Sequence, residues 1–179
     1  PHCWRCKKPI IFRATQQWFA SVDAIKDAAV EACDDITWKP EWGKERMISM
    51  IRERSDWCIS RQRTWGVPIP IFFCKDCGKP YCTPESIEKI SEIFGAEGSN
   101  AWWAKEAKEL MPEGAACECG CKEFTKETDI MDVWFDSGST WAAVCDHNPE
   151  HPELVYPTDL YLEGGDQYRG WFQSSMLTS

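Results

Sequence analysis

The chain has 179 residues, 43% of them hydrophobic, and a formal net charge of −9 from 20 basic and 29 acidic side chains. This length suits one domain or two small ones. The acidic balance argues against a free-standing protein that binds nucleic acid by counterion release, and no apolar run approaches the roughly 20 residues of a membrane span. The chain starts without a methionine or a signal-peptide pattern and stops within a helical pattern, so we expect both ends to continue in a longer protein.

Cysteine is unusually frequent, with eleven residues, many of them in tight groups. Such spacing is typical of zinc sites in a reducing cytoplasm rather than of a disulfide framework. At the start, Cys3-x-x-Cys6 supplies half of a tetrahedral site, because an all-thiolate site needs a second pair. Cys33, the next cysteine, stands alone, so we expect the partner pair upstream of residue 1. A metal-free or redox pair is the alternative.

Helices and a mixed aromatic and basic stretch are predicted in the next part of the chain. Apolar residues recur at helical spacing within residues 15–33 and again within the charged residues 44–54. Residues 56–66 then combine two tryptophans with Arg61 and Arg63. This composition suits RNA or a nucleotide, and it equally suits a structural joint that packs its aromatic rings.

A second cysteine pair follows a proline-rich segment. Residues 67–73 alternate apolar residues with prolines, which predicts an edge strand or an extended segment because proline cannot donate to a β-ladder. Cys74-x-x-Cys77 follows, and the glycine directly after it suits the tight turn of a zinc knuckle. Thr83 and the proline after it predict the capped start of a helix. A second helix, with Ser99 as its cap, is predicted to end near residue 110.

A third cysteine group provides the partners for this knuckle. Cys117 and Cys119 are separated by one residue, and Cys121 follows closely. We pair Cys117 and Cys119 with the knuckle of residues 74–77, and Cys121 is the competitor, because only two of the three can complete a four-coordinate site. Four thiolates leave no open position for a catalytic water, so the predicted role of the zinc is structural. Reduced, metal-free thiols are the alternative.

The last third contains two turns that are candidate ligand sites. Residues 130–135 are predicted to form a buried strand, followed by an Asp-Ser-Gly-Ser turn. Residues 160–162 are predicted to form another strand, followed by two glycines and by a helix that Asp166 caps. In open α/β sheets, ligands bind at such turns. Between these segments, His147 and His151 are candidate metal ligands, although two histidines in a polar loop usually bind nothing.

Three stretches together resemble one family. Residues 60–68 read Ser-Arg-Gln-Arg-Thr-Trp-Gly-Val-Pro, residues 129–139 read Asp-Ile-Met-Asp-Val-Trp-Phe-Asp-Ser-Gly-Ser, and residues 161–172 read Tyr-Leu-Glu-Gly-Gly-Asp-Gln-Tyr-Arg-Gly-Trp-Phe. In order and spacing they resemble isoleucyl-tRNA synthetases, which are class I synthetases, and the resemblance runs through essentially the whole chain. Valyl and leucyl enzymes share the plan, but the Leu-Glu-Gly and Asp-Gln steps of the third stretch favour the isoleucyl family.

The resemblance implies that the chain is an internal part of an enzyme that activates isoleucine with ATP and transfers it to tRNA(Ile). The fold class implied is α/β: a partial Rossmann-type catalytic domain with inserted helical segments and a zinc ribbon. Neither of the family's ATP-binding signatures, His-Ile-Gly-His and Lys-Met-Ser-Lys-Ser, is present. We therefore assign no catalytic residue and expect the chain alone to be inactive. The family also implies ATP with Mg²⁺ as substrate, a cytoplasmic monomer and no membrane partner.

The resemblance also implies roles for particular positions. It places Glu163, Gly164, Asp166 and Gln167 in the loop that binds the adenylate, and Trp134 and Trp171 near the isoleucine pocket. Ordinary core packing is the alternative for the two tryptophans. The zinc ligands that it implies are Cys74, Cys77, Cys117 and Cys119, with Cys3 and Cys6 as half of a second site.

The sequence departs from the family at Tyr168, where histidine is usual, and at Gly165, which is often serine. Tyr168 is therefore left out of the predicted site. The domain division that we expect is a return from the editing insertion at 1–14, a helical connection at 15–66, a zinc-ribbon insertion at 67–128 and a Rossmann portion at 129–179. The competing hypotheses are a zinc-ribbon module that binds RNA or protein, and part of a valyl or leucyl enzyme.

Overall fold

The fold is taken from a computed structural model that describes residues 1–146 and 148–179. In these residues helices and short strands alternate along the chain. The helices are α1 Lys26–Ala32, α2 Gly43–Arg52, α3 Pro84–Glu97, α4 Ala101–Ala104, α5 Ala107–Leu110, α6 Val133–Gly138 and α7 Trp171–Thr178. The strands are β1 Phe19–Ala20, β2 Trp57–Cys58, β3 Ser60–Arg61, β4 Phe72–Cys74, β5 Pro80–Tyr81, β6 Phe124–Lys126 and β7 Ile130–Met131.

The strands form three small antiparallel sheets. Strand β1 pairs with β2, and β3 pairs with β7. The third sheet has the order β5-β4-β6. No parallel pair occurs in the described ranges, so the sheet of a Rossmann domain is not formed by these residues alone. None of the helices in these ranges is long and apolar enough to cross a membrane.

Residues 67–128, the cysteine module, pack around a core of their own. Phe72 of the central strand and Trp102 of α4 are fully buried, with ring centroids 5.0 Å apart. Leu110 of α5 and Ile90 of α3 complete this core. The indole nitrogen of Trp102 donates to the backbone oxygen of Glu127 at 3.0 Å, so the largest core side chain also has its polar atom satisfied.

A second core lies where α1, α2 and α7 meet. Met47 and Ile51 on α2 are buried, as the helical spacing of residues 44–54 predicted. Cys33 and Tyr168 pack against them. Burial raises the pKa of the Cys33 thiol, because desolvation disfavours the thiolate. This core holds the residues before α7 in place.

A hydrogen-bond network lies at the two ends of the cysteine module. The Nε1 atom of Trp18 donates to a carboxylate oxygen of Glu127 at 2.7 Å, and its backbone N–H donates to the Ser60 hydroxyl at 2.8 Å. Gln62 donates to the Asp129 carboxylate at 2.7 Å. The network thereby fixes the place where the chain leaves and re-enters the cysteine module.

Several predictions within the cysteine module need correction. Of the two alternatives for residues 67–73, the edge strand is wrong, because β4 begins only at Phe72, after the last proline, and lies at the centre of its sheet. Thr83 caps α3 as predicted. The second helix is wrong as a single unit, because Glu106 and Glu109 form a capping box that starts a new helix. Ser99 is not its cap, since α4 begins after Asn100.

Two strand predictions in the last third fail within the described residues. Residues 160–162 form no strand, since no described segment pairs with them. Of residues 130–135, only Ile130–Met131 is a strand, because the Asp132 carboxylate accepts from the backbone N–H of Trp134 and starts helix α6. Periodicity alone does not separate a short buried strand from the start of a helix.

Candidate functional site

The turn at residues 163–170 leads into helix α7. Its residues Gly165–Arg169 form a 3-10 helix, and α7 starts at Trp171. The N-cap of α7 is Gly170, and the side-chain oxygen of Gln167 accepts from the backbone N–H of Trp171 at 2.8 Å, which satisfies one N–H of the first turn. The prediction that Asp166 caps the helix is wrong, because the 3-10 helix places Gln167, and not Asp166, beside the first turn of α7. The Asp166 carboxylate instead accepts from the Gln167 amide at 3.3 Å.

Helices α6 and α7 bring the two predicted ligand turns together. The Nε1 atom of Trp171 donates to the backbone oxygen of Ser137 at 2.8 Å. A Cβ at Gly138 would lie 3.0 Å from the backbone of Ser174, so glycine allows the helices to approach this closely. The Thr178 hydroxyl donates to the Gly138 oxygen at 2.8 Å. Residues separated by more than 30 positions in the chain are therefore held side by side.

The predicted site residues on these turns are accessible to a ligand. Glu163, Gly164 and Asp166 are exposed, and Gln167 is half-buried. Trp134 is 42% exposed, and its Cη2 atom would lie 3.2 Å from a Cβ at Gly170. The structure thus places Trp134 directly against the turn of residues 163–170.

Trp171 packs against another aromatic ring. Its ring centroid lies 4.3 Å from that of Tyr161. The Tyr161 hydroxyl lies 2.5 Å from the Ser175 hydroxyl, and desolvation raises the pKa of the phenol. Trp171 is therefore held by packing against Tyr161 and by its bond to Ser137.

Tyr168 packs the turn against the core of α1, α2 and α7, a role that the sequence analysis missed. It is buried, and its ring stacks on Trp38 with centroids 6.3 Å apart. Trp42 and Phe172 contact the same ring. A Cβ at Gly43 would overlap the Tyr168 hydroxyl, so Gly43 makes room for it. The signal available in the sequence was the pair of tryptophans that precedes this glycine.

Four cysteines of the module converge on one point. The Sγ atoms of Cys74, Cys77, Cys117 and Cys119 all lie within 4.8 Å of one another. The Cys74 and Cys119 sulfurs are 3.5 Å apart, as are those of Cys77 and Cys117. Cys121 is outside this group, because its Sγ accepts from the backbone N–H of Glu123 at 3.3 Å.

This cluster fits a tetrahedral zinc. Thiolates about 2.3 Å from the metal have sulfurs roughly 3.8 Å apart, close to the spacing found here. Backbone N–H groups at Cys77 and Asp76 lower the pKa of Cys74 to about 6, which favours a thiolate. The pKa of Cys119 is raised to about 12: the N–H of Cys121 opposes this shift, but the crowded Cys74 thiol and desolvation outweigh it. A bound cation would relieve that crowding.

Cys3 and Cys6 lie on a turn with the same backbone hydrogen bonds as the Cys74 knuckle. Cys3 donates to the Lys8 oxygen at 2.8 Å and accepts from Lys7 at 2.9 Å. Cys74 makes the matching bonds with Lys79 and Gly78, both 2.9 Å long. Lys7 has φ of +60° where Gly78 has +70°. The first pair is thus folded as a knuckle, with backbone N–H groups of Cys6 and Arg5 lowering the pKa of Cys3.

The remaining candidate residues separate into buried and exposed groups. Trp57 and Arg61 form a joint, since both donate to the Asp132 carboxylate, at 2.9 and 3.0 Å. Arg63 and Trp65 are exposed, Trp65 by 92%. His151 lies 3.1 Å from the Glu153 carboxylate, and His147 lies outside the described residues.

Comparisons with known proteins find matches to tRNA synthetases over almost the whole chain. Residues 5–179 match the family model of class I tRNA synthetases (I, L, M and V). The chain is 62% identical to the isoleucine--tRNA ligase of Caldicellulosiruptor bescii, over 100% of this chain and 19% of that protein. It is 59% identical to that of Caldanaerobacter subterraneus subsp. tengcongensis and 60% identical to that of Natranaerobius thermophilus, with the same two coverages. The chain therefore spans about a fifth of the length of these curated relatives.

Proposed function

The chain belongs to the family of class I tRNA synthetases, and from this premise we propose that it is part of an isoleucine--tRNA ligase, which joins isoleucine to tRNA(Ile) with ATP. The observation that carries this proposal is the identity of about 60% to isoleucine--tRNA ligases across the whole chain. The juxtaposition of Trp134 with the turn of residues 163–170 supports it, because it creates one wall of a small-molecule site.

In this proposal Glu163, Gly164, Asp166 and Gln167 bind the adenylate. The two carboxylates are exposed and accept hydrogen bonds from ribose hydroxyls or from the ammonium group of the amino acid. A Cβ at Gly164 would lie 2.9 Å from the Asp166 carboxylate, so glycine leaves the backbone open to a ligand. The Gln167 amide is held by its own bond to Trp171, which orients it before substrate arrives.

Trp134 and Trp171 form walls for the isoleucine side chain. Flat, rigid rings present apolar surface at little entropic cost, which suits a branched aliphatic group. Such a pocket separates substrates that differ by one methylene by only about 1–3 kcal/mol, a limit for which isoleucyl-tRNA synthetases are the standard example. The tryptophans therefore do not provide the whole fidelity, and an editing activity elsewhere in the enzyme completes it.

Cys74, Cys77, Cys117 and Cys119 hold one structural Zn²⁺ in this proposal. The four sulfurs fill its coordination shell, so the metal stabilises the cysteine module and activates no water. Cys3 and Cys6 provide half of a second site, completed by another part of the enzyme. We further propose the division into residues 1–14, 15–66, 67–128 and 129–179, with the last range completing a Rossmann sheet in the whole protein. The whole enzyme is a cytoplasmic monomer that uses ATP with Mg²⁺.

The test uses the full-length protein that carries this chain. Amino-acid-dependent exchange of pyrophosphate into ATP is measured with isoleucine, valine and leucine, followed by charging of tRNA(Ile). We expect the highest kcat/KM with isoleucine and charging of tRNA(Ile). A preference for valine or leucine would contradict the proposal in favour of a related synthetase.

A zinc-ribbon module that binds RNA or protein is the second candidate. The exposed Trp65 and Arg63 favour it, whereas the net charge of −9 opposes it. Absence of exchange with all three amino acids, together with RNA binding that needs Trp65, would support this candidate instead.

A further inference from the structure

Asp132 is a buried carboxylate that lies directly between strand β7 and helix α6. It is 3% exposed, and acidic side chains are rarely buried to this degree unless they are paired. Its Oδ2 atom accepts from Nε1 of Trp57 at 2.9 Å and lies 3.0 Å from Nη2 of Arg61. Its Oδ1 atom accepts from the backbone N–H of Trp134 at 3.4 Å. One carboxylate thus joins residues 57–61 to the first turn of α6.

The two side chains that donate to this carboxylate are themselves fixed. The Trp57 ring is 5% exposed and packs on Phe135 of α6 with ring centroids 5.8 Å apart. The Nη1 atom of Arg61 donates to the backbone oxygens of Cys58 and Ser60, both at 2.7 Å. Strand β3, which carries this arginine, pairs with β7. The carboxylate therefore binds groups that are already held in place.

Helix α6 depends on its neighbours for its orientation. It spans six residues, Val133–Gly138, and helices this short are not stable in isolation. At its C-terminal end, the backbone oxygens of Ser137 and Gly138 accept from side chains of Trp171 and Thr178 on α7, both at 2.8 Å. At its N-terminal end it is held by the carboxylate described above. The contacts at these two ends therefore set the direction of the helix.

Trp134 lies on the first turn of α6, next to the buried carboxylate. Its backbone N–H is one of the groups bonded to Asp132, and its ring is 42% exposed. The Cη2 atom of this ring would lie 3.2 Å from a Cβ at Gly170, so the ring reaches the turn of residues 163–170. A rotation of the first turn of α6 therefore moves the Trp134 ring relative to that turn.

We propose that Asp132 is a positioning residue for the amino-acid site, which acts through Trp134 to set the selectivity for isoleucine. The proposal rests on the proposed function, in which the Trp134 ring is a wall for the isoleucine side chain. Asp132 is buried and does not contact the substrate. Because an apolar pocket separates isoleucine from valine by the fit of one methylene, a small displacement of this wall changes the selectivity.

A carboxylate is suited to this role because of the number of bonds that it accepts. Its two oxygens accept from three donors at once, and the bond to the Arg61 guanidinium is charge-assisted. The side chain of asparagine has the same shape but one acceptor oxygen, and its amide nitrogen would face a donor. Such a substitution leaves Trp57 or Trp134 without its acceptor, while the volume of the side chain is unchanged.

The test uses isoleucine- and valine-dependent pyrophosphate exchange by the full-length protein. Asp132→Asn removes the charge and one acceptor, and Trp57→Phe removes a single donor while keeping an aromatic ring. Asp129→Asn is the matched control, because the Asp129 carboxylate accepts from Gln62 at 2.7 Å and makes no bond to α6 in the described part of the chain. Trp134→Leu tests the wall itself.

We expect Asp132→Asn to raise the KM for isoleucine about tenfold, because a displaced wall fits the side chain less well. The KM for ATP should stay close to that of the wild type. One methylene allows a ratio of about 10–200 between kcat/KM for isoleucine and for valine, and this ratio should fall about threefold or more. Trp57→Phe should change both quantities in the same direction and less strongly, and Asp129→Asn should match the wild type.

Two outcomes would overturn the proposal. Equal losses of kcat with isoleucine and valine, with an unchanged KM for isoleucine, would show that Asp132 only stabilises the fold. A wild-type KM and ratio in Asp132→Asn and Trp57→Phe, while Trp134→Leu changes both, would show that the wall is positioned by other contacts. If Asp132→Asn does not fold, Trp57→Phe decides between these results.

Failure of the proposed function gives a different pattern. The wild type would then lack isoleucine-dependent exchange, or Trp134→Leu would leave the KM for isoleucine and the ratio over valine unchanged. In either case the role of the wall is lost, and the role of Asp132 with it. Normal exchange in the wild type, together with an effect of Trp134→Leu, leaves the Asp132 variants as the test of positioning alone.

Discussion

The cysteine module and residues 129–179 differ in how far they bury their large apolar side chains. The module encloses Phe72, Trp102 and Leu110 completely, and its four sulfurs converge within the same 62 residues. In residues 129–179, by contrast, Leu160 and Leu162 are 76% and 79% exposed and pair with no strand among the described residues. A large exposed apolar segment usually marks an interaction surface.

The two regions therefore differ in how much of their fold is determined by nearby residues. A ribbon held by a metal closes on itself, whereas a strand of a parallel sheet needs neighbours that lie far away in sequence. We propose that residues 160–162 pair with strands of the rest of the enzyme, and that the candidate amino-acid site is completed there. The predictions below test this contrast.

Loss of zinc should have the largest effect, and it should be confined to the cysteine module. Cys77→Ser in the full-length protein should lose one zinc per chain, because three thiolates leave the site open. Metal binding contributes about 10–16 kcal/mol in isolated zinc fingers, so we expect local unfolding around residues 67–128. Elemental analysis and hydrogen exchange measure both effects.

Cys121→Ser is the matched control, since the Cys121 sulfur is bound by the Glu123 backbone and lies outside the cluster. It should retain the zinc. Loss of zinc in Cys121→Ser but not in Cys119→Ser would mean that the wrong cysteine has been assigned to the site.

Truncation of Trp102 and of Leu160 should compare how much a large apolar side chain in each region contributes to the free energy of unfolding. Trp102→Ala should lower the free energy of unfolding by about 3–5 kcal/mol, because the ring is fully buried. Leu160→Ala should cost about 2 kcal/mol or more in the full-length enzyme if Leu160 is buried against other strands. Thermal unfolding measures both. A change within about 0.5 kcal/mol for Leu160→Ala, as for an ordinary surface residue, would contradict the proposed sheet.

Gly43→Ala should test whether the contact between α2 and Tyr168 positions the turn of residues 163–170. The added Cβ would overlap the Tyr168 hydroxyl, and overpacking of this kind costs about 1–3 kcal/mol. Tyr168→Phe removes that hydroxyl, so it should recover much of the loss in the double variant. The coupling energy of this cycle measures the contact, and strict additivity would argue against it.

Removal of one helix cap should have the smallest effect. Thr83→Ala removes the hydroxyl that accepts from Ser86 at 3.2 Å, which should cost about 1 kcal/mol. Ser91→Ala, at an exposed position of the same helix, should be nearly neutral. Equal effects of the two substitutions in denaturant titrations would show that the cap contributes nothing specific.

The sequence predicted the cysteine module well, because its signals are local. The proline after Thr83 and the close spacing within each cysteine pair are local signals, and the structure shows the Thr83 cap and the convergence of the four sulfurs of Cys74, Cys77, Cys117 and Cys119. The sequence analysis missed the break between α4 and α5. This break depends on a capping box formed by Glu106 and Glu109, and in the sequence two such glutamates look like residues on the exposed face of one continuous helix.

The candidate site was predicted less completely, because its geometry depends on contacts across the chain. The three motifs located residues 129–139 and 163–172, but not the packing of α6 on α7 that joins them. Asp166 has the right residue type for a cap, yet Gln167 is the residue that bonds the first turn of α7, after an intervening 3-10 helix. The resemblance gives no role to Tyr168, which departs from the family, whereas the structure buries this ring against Trp38 and Phe172 beneath the turn.

Glu163→Ala in the full-length enzyme provides the most direct test of the proposed amino-acid site. Glu163 is exposed on the turn of residues 163–170, and Glu153→Ala is the control, since Glu153 contacts only His151 among its described polar partners. Isoleucine-dependent pyrophosphate exchange should fall about 10- to 100-fold in Glu163→Ala, as for loss of a hydrogen bond to a charged group, and remain normal in Glu153→Ala. Unchanged exchange in Glu163→Ala would contradict the assignment of this turn to the adenylate.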